Sequence, residues 1–203
     1  MDYLNFGRFT IPAALISSIL ALLFSGFIFS RIRKIKPGEW YTNAYLLFFL
    51  LYKLTYIVFN FSLFVKFPFS LLYFNGGTKG QIIAAGFTAF YLFRMYKKTP
   101  FLLYREMVPL YFLNFVAFQA AEGFLGGAYL AGIVQLVLFL ALAFCLYRTS
   151  SKVNSQVFLF IFLIELMILS LFEKTFMTYN ISFILIGLFL VWILYTIKEE
   201  KRN

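Results

Sequence analysis

Seven apolar runs, at residues 10–30, 41–60, 80–96, 107–126, 128–147, 156–173 and 180–197, follow one another along the chain with short polar breaks between them. Each approaches the roughly 17–25 residues that a helix needs to cross a hydrocarbon core about 30 Å thick, so the pattern predicts an all-α, polytopic membrane protein of seven transmembrane helices. Two stretches depart from it. Residues 61–79, from Phe61 through Lys66, Pro68 and Asn75-Gly76-Gly77 to Lys79, are broken by Pro and Gly yet stay rich in Phe and Leu. They predict an interfacial segment leading into the third span. Gly123, Gly126 and Gly127 predict a tight hairpin between the fourth and fifth spans, unless they serve only the positive φ of a turn. No repeat or linker divides the 203 residues, which read as a single seven-span domain, 1–203.

Composition agrees with the pattern. Hydrophobic residues make up 63% and charged residues 13%, against roughly 45–50% and 25% in soluble domains. Thirty phenylalanines and an aromatic content of 23% predict that bulky side chains, and not small ones, fill most lipid-facing and inter-helix space.

The formal net charge of +10 would suggest nucleic acid in a soluble chain, but here the basic residues cluster at the ends of apolar runs, as topology signals. With the N-terminus outside, only Arg8, Lys66, Lys79 and Lys174 face outward, Lys53 lies within a span, and all other Lys and Arg face inward. The bias predicts N-out and C-in. The first run lacks a basic segment before it and is followed by Arg31, Arg33, Lys34 and Lys36, which predicts a retained helix and not a cleaved signal. No nucleic-acid partner is expected.

Several chemistries are excluded. The chain has no histidine, hence no His general base, His-bearing zinc site or His-ligated haem. Cys145 is the sole cysteine, so no intrachain disulfide or redox pair exists, and it reads as a small buried residue on a membrane helix. No P-loop, Rossmann fingerprint, nucleophile elbow or metal-ligand pattern occurs, and Gly76-Gly77-Thr78-Lys79-Gly80 lacks the order of a phosphate loop. No cofactor or metal is expected.

Ionisable groups within spans are costly unless paired or facing a polar space. Lys53, Glu122 and Glu165 are the three so placed. Counted from the inner helix ends they lie at depths of roughly 18, 22 and 14 Å. Lys53 is therefore expected to be held by a carboxylate, Glu165 first and Glu122 second, or else to enter a hydrated space and bind a lipid phosphate. Gln119 and Glu122 share a helix face, and with Lys79 and Gln81 they are expected to line an outer-leaflet cavity. The plainer alternative for these residues, and for Asn60, Asn114 and Gln135, is inter-helix hydrogen bonding.

The order of several short motifs resembles the bacterial prolipoprotein diacylglyceryl transferases, from about Ile11 to Glu173. Tyr52-Lys53-Leu54-Thr55-Tyr56-Ile57-Val58-Phe59-Asn60 is similar to that family's A-R-x-G-Y-V-x-F-N. Leu72-Tyr73-Phe74-Asn75-Gly76-Gly77 is similar to its N-G-G approach to the third helix. Tyr96-Lys97-Lys98-Thr99-Pro100-Phe101-Leu102, with Glu106 and Pro109, is similar to its R-K-x-P-F-L turn. The resemblance implies seven spans, a bacterial plasma membrane and a site for a phosphatidylglycerol-like lipid at Lys53, Tyr56, Asn75, Gly76, Gly77, Lys79, Gln119 and Glu122. Lys53, Gln81 and Glu173 are the catalytic candidates it implies.

The departures fall where the family's chemistry sits. Gln81 stands at the family's histidine, Gln119 at its arginine, Glu122 at the asparagine that follows, and Leu169 at the arginine paired with Glu173. The family's tyrosine-containing first-helix motif has no match beside Pro12. Lys53 keeps a positive charge but lacks the bidentate fork of the arginine it replaces. The expectation is a diverged member, a pseudoenzyme that binds phospholipid or a lipoprotein or other membrane protein without diacylglyceryl transfer. The alternatives are an active transferase in lipoprotein biosynthesis and a small-solute or ion transporter.

Overall fold

The computed structural model describes residues 3–6, 9–148, 155–172 and 176–200. Among the described residues, nine helices follow a short antiparallel hairpin, β1 (Tyr3–Phe6) and β2 (Phe9–Pro12), paired in the register Tyr3 to Pro12. The helices are α1 (Ala13–Arg33), α2 (Glu39–Phe59), α3 (Phe61–Lys66), α4 (Ser70–Tyr73), α5 (Gly77–Lys98), α6 (Val108–Leu125), α7 (Tyr129–Arg148), α8 (Ser155–Phe172) and α9 (Phe176–Glu200). A π-helical turn, Leu103–Met107, leads into α6. Each of the seven apolar runs coincides with one long helix. The first helix starts three residues later than its apolar run because Pro12, extended at φ −60° and ψ 131°, closes the hairpin.

Four helical stretches, Ala13–Arg33, Glu39–Phe59, Arg105–Leu125 and Tyr129–Arg148, are long and apolar enough to cross a membrane. At 21 residues, three of them extend about 31 Å, the thickness of the hydrocarbon core. The chain is thus a helical membrane protein. It divides into two compact units, one from Met1–Thr42 and Leu102–Lys152, the other from Asn43–Phe101 and Val153–Asn203.

In the first unit α6 packs along both α1 and α7. Its stretch is 72% buried, against 28% or less for the other three candidate spans, so α6 is a core helix. The packed face of α1 carries Ala13, Ser17, Ala21, Ser25 and Phe29 at four-residue spacing. On α6 and α7, Gly123 meets Gly132 so closely that a Cβ at position 123 would lie 2.6 Å from the Gly132 nitrogen. Small residues therefore line α1 and the α6–α7 crossing, while the buried face of α6 is bulky, with Leu110, Phe112, Leu113, Phe115 and Phe118. The expectation from composition holds for α6 and for the lipid-facing side chains and fails for α1, because helices attract in lipid by van der Waals contact and gain most where backbones approach closely. Phe24, Phe27, Phe87, Phe90 and Phe144 are all exposed. Both readings of the hairpin glycines apply, at different positions: Gly123 permits close approach, while Gly127 takes φ +78° in the turn. Cys145 is exposed, not buried, because the packed face of α7 runs through Gly132, Gln135 and Phe139.

In the second unit α5 and α8 both pack against α9. Phe93 of α5 meets Phe189 and Trp192 of α9, each at 6.4 Å between ring centroids. The packed face of α5 is again small, with Gly80, Ala84, Ala85 and Thr88 ahead of Leu92.

Gln135 is only 1% exposed, and neither its amide nitrogen nor its amide oxygen has a hydrogen-bond partner among the described residues. An inter-helix hydrogen bond was one expectation for it, and the structure provides none. A buried amide left unsatisfied costs about 1–3 kcal/mol. Gln135→Leu, of similar volume, is therefore expected to raise the thermal unfolding midpoint in detergent by several degrees. A lowered midpoint would show that the amide has a polar partner, such as water.

Candidate functional site

The motif-bearing residues of the second unit converge where the second half of α2 meets the chain entering α5. Asn60 ends α2 with a backbone of φ −130° and ψ 41°, and Pro68 stops α3 by forcing Phe67 out of helical geometry. The chain then turns back along α2. The Lys53 ammonium donates to the carbonyl oxygens of Leu71 at 3.1 Å and Phe74 at 3.0 Å. Both carbonyls belong to the end of α4, where a helix has no N–H of its own to offer them. Lys53 therefore closes a helix end from outside.

Neighbouring contacts fix the same turn. The Gly76 N–H donates to the Tyr52 carbonyl at 3.1 Å. Tyr56, buried at 4% exposure, donates from its hydroxyl to Ser70 Oγ at 3.0 Å and stacks on Phe74 with ring centroids 5.9 Å apart. Asn75 Oδ1 accepts the Gly77 N–H at 3.0 Å, a local turn that Asn favours. Gly77 takes φ +59°, where a side chain would be strained. A Cβ on Gly76 would overlap Thr55 Oγ1 and come within 2.8 Å of the Gly80 Cα. Asn75-Gly76-Gly77 is thus shaped by close approach to α2 and by left-handed backbone, two different demands that only Gly meets cheaply.

Beyond the turn, Lys79 is exposed, with its ammonium 5.8 Å from the centre of the Phe59 ring. Gln81 donates to the Tyr52 hydroxyl at the long distance of 3.5 Å, while its buried Oε1 has no partner among the described residues. Lys53, Tyr56, Asn75, Gly76, Gly77, Lys79 and Gln81 therefore all belong to one region of the second unit. Gln119 and Glu122 belong to α6 of the first unit, where Gln119 is buried and Glu122 half-buried. Glu165 lies on α8 in the same unit as Lys53 and is 3% exposed. Glu173 lies outside the described residues. Chemically, the region offers an exposed ammonium, Lys79, beside apolar side chains and the start of a long helix. It suits an anion carried on an apolar body.

A second polar cluster lies in the first unit; the sequence names its members Glu106 and Asn114 without bringing them together. Glu106, 7% exposed, presents Oε2 to two donors, the Trp40 indole N–H at 2.8 Å and the Gly38 N–H at 3.2 Å. It stands on the π-helical turn, one turn before Pro109. Trp40 packs edge-on against Tyr41, centroids 5.8 Å apart. The Tyr41 hydroxyl in turn lies 2.6 Å from Ser25 Oγ and accepts the Asn114 amide N–H at 3.1 Å. Ser25, Tyr41 and Asn114 are all buried, so a chain of polar contacts ties α1, the start of α2 and α6. Asn114 therefore serves as the inter-helix hydrogen-bonding group that the sequence suggested. The sequence shows Glu106 only as part of a motif with Pro109, and does not show its partners Gly38 and Trp40.

Comparison with models of known families, with curated proteins and with solved structures finds no match to the chain.

Proposed function

We propose that the protein is a diverged relative of the prolipoprotein diacylglyceryl transferases that holds a phospholipid without transferring its diacylglyceryl group. Seven spans, N-out and C-in, in a bacterial plasma membrane complete the reading, with the basic-residue bias as the ground for orientation. The observation that carries it is the meeting of the two motif segments, residues 52–60 and 72–77. Residues 61–71 separate them, and Lys53, Tyr52 and Tyr56 of the first hold Leu71, Phe74, Gly76 and Ser70 in and beside the second.

In this reading the Lys79 ammonium attracts the lipid phosphate, while the acyl chains lie along exposed apolar residues such as Val58, Phe59, Ile82 and Ile83. The motif residues act as scaffold: Lys53 is engaged by two carbonyls. Transfer to a cysteine thiol also needs a group that generates the thiolate. Gln81, where the resemblance places a histidine, takes up no proton near neutral pH.

Native mass spectrometry of the detergent-purified protein tests the binding. Retained phosphatidylglycerol, reduced about tenfold by Lys79→Gln, is expected, one charge-assisted contact being worth ~1.5 kcal/mol or more. Phospholipid retention that is absent, or indifferent to Lys79→Gln, would remove this site.

A further inference from the structure

We propose that the segment formed by α3, α4 and the link between them is an interfacial membrane anchor, immersed at the headgroup–acyl boundary of the leaflet where α2 ends. The proposal does not rest on the phospholipid site. Its first ground is exposure. No residue of α3 is buried, and Phe61, Val65, Phe67 and Phe69 are 64%, 61%, 67% and 78% exposed. A run of apolar side chains turned away from its own chain needs an apolar surrounding.

The second ground is the backbone, much of which is hydrogen-bonded within the segment. Leu63 and Phe64 donate to the Asn60 carbonyl, Phe67 to Leu63, Ser70 to Phe67, Leu71 to Pro68 and Phe74 to Ser70, at 2.9–3.3 Å. Pro68 has no N–H to satisfy. The carbonyls of Leu71 and Phe74 accept from Lys53. In lipid each unsatisfied peptide group costs several kcal/mol, and the carbonyls left over, near Lys66, can reach headgroups and water at the boundary.

The third ground is continuity. The 21 residues of α2 extend about 31 Å and so exhaust the core thickness. Its outward side chains Leu54 and Val58 run directly into Phe61 and Leu63, which are also exposed. The segment therefore starts at the lipid boundary, and a lipid leaflet is the occupant that meets an apolar surface at that level. Lys66 is its one charge, and a long aliphatic stem lets the ammonium reach phosphates while Phe67 and Phe69 lie deeper.

Two tryptophan reporters test it. Phe67→Trp and Phe69→Trp are made separately in a Trp192→Phe background that keeps Trp40, whose emission is subtracted, and reconstituted into vesicles with lipids brominated high or low on the acyl chain. Blue-shifted emission, quenched more by the high bromines than the low ones, is expected at both positions. Emission typical of water without quenching would overturn the anchor, as would protection by a co-purifying protein chain. The unmodified protein supplies the second measurement. A lipid-borne photoactivated carbene should label residues 61–71, and labelling confined to the long helices would equally overturn the proposal.

Discussion

Replacing Glu106 by alanine is expected to destabilise the first unit strongly. The substitution removes the acceptor of the Trp40 indole N–H and of the Gly38 N–H. Glu106 is 7% and Trp40 6% exposed, so water does not readily take its place. Two stranded donors at about 1–3 kcal/mol each give a loss of roughly 2–6 kcal/mol. Glu106→Gln keeps an amide oxygen for one of them and should lose about half as much. The chain has two tryptophans, so in a Trp192→Phe background the emission of Trp40 reports directly. It should shift to the red in Glu106→Ala, together with a lower unfolding midpoint. An unchanged midpoint and spectrum would mean that the contact contributes nothing.

The second large effect is expected at Lys53, where two terms oppose each other. Lys53→Met removes the insertion cost of a mid-span charge, about 2.5–3.5 kcal/mol. It also removes two charge-assisted hydrogen bonds, to Leu71 and Phe74, worth about 1.5–3 kcal/mol each. The second term is the larger, because the carbonyls stay behind unsatisfied. The net loss should be about 1–2 kcal/mol, the difference of those two terms, and concentrated in residues 68–76, where hydrogen exchange should quicken. Lys53→Arg should restore protection. Glu165, on α8 in the same unit, is the carboxylate that the sequence puts first as a partner for Lys53. If Glu165 contributes, Lys53→Met and Glu165→Gln should each lower stability and the double replacement should recover much of the loss, since neither charge is then stranded. Strictly additive losses would remove that pair and leave the carbonyls as the anchor.

The helices were legible in the sequence because lipid imposes a length on every apolar run, and breaks at Asn60, Pro68 and Gly126–Gly127 marked their ends. The packing was less so. Thirty phenylalanines suggested bulky contacts, but in lipid bulk carries no instruction to turn inward. The stripe of Ala13, Ser17, Ala21 and Ser25 was the better signal. Lys53 stood out as a charge within a span, yet the carbonyls of Leu71 and Phe74 that hold it have no sequence signature, since every residue has one. Glu106 was visible only as part of a motif, because its donors Trp40 and Gly38 are distant in the chain. The division into two units also left no mark, for no linker separates them and each draws on both halves of the sequence.

Whether the protein holds phosphatidylglycerol without transferring its diacylglyceryl group is decided by one reconstitution. The purified protein is incubated in vesicles with phosphatidylglycerol and a lipobox peptide bearing a single cysteine, and the peptide is weighed by mass spectrometry. The account predicts an unmodified peptide while phosphatidylglycerol still co-purifies with the protein. A peptide gaining one thioether-linked diacylglyceryl group, with release of glycerol phosphate, would contradict it.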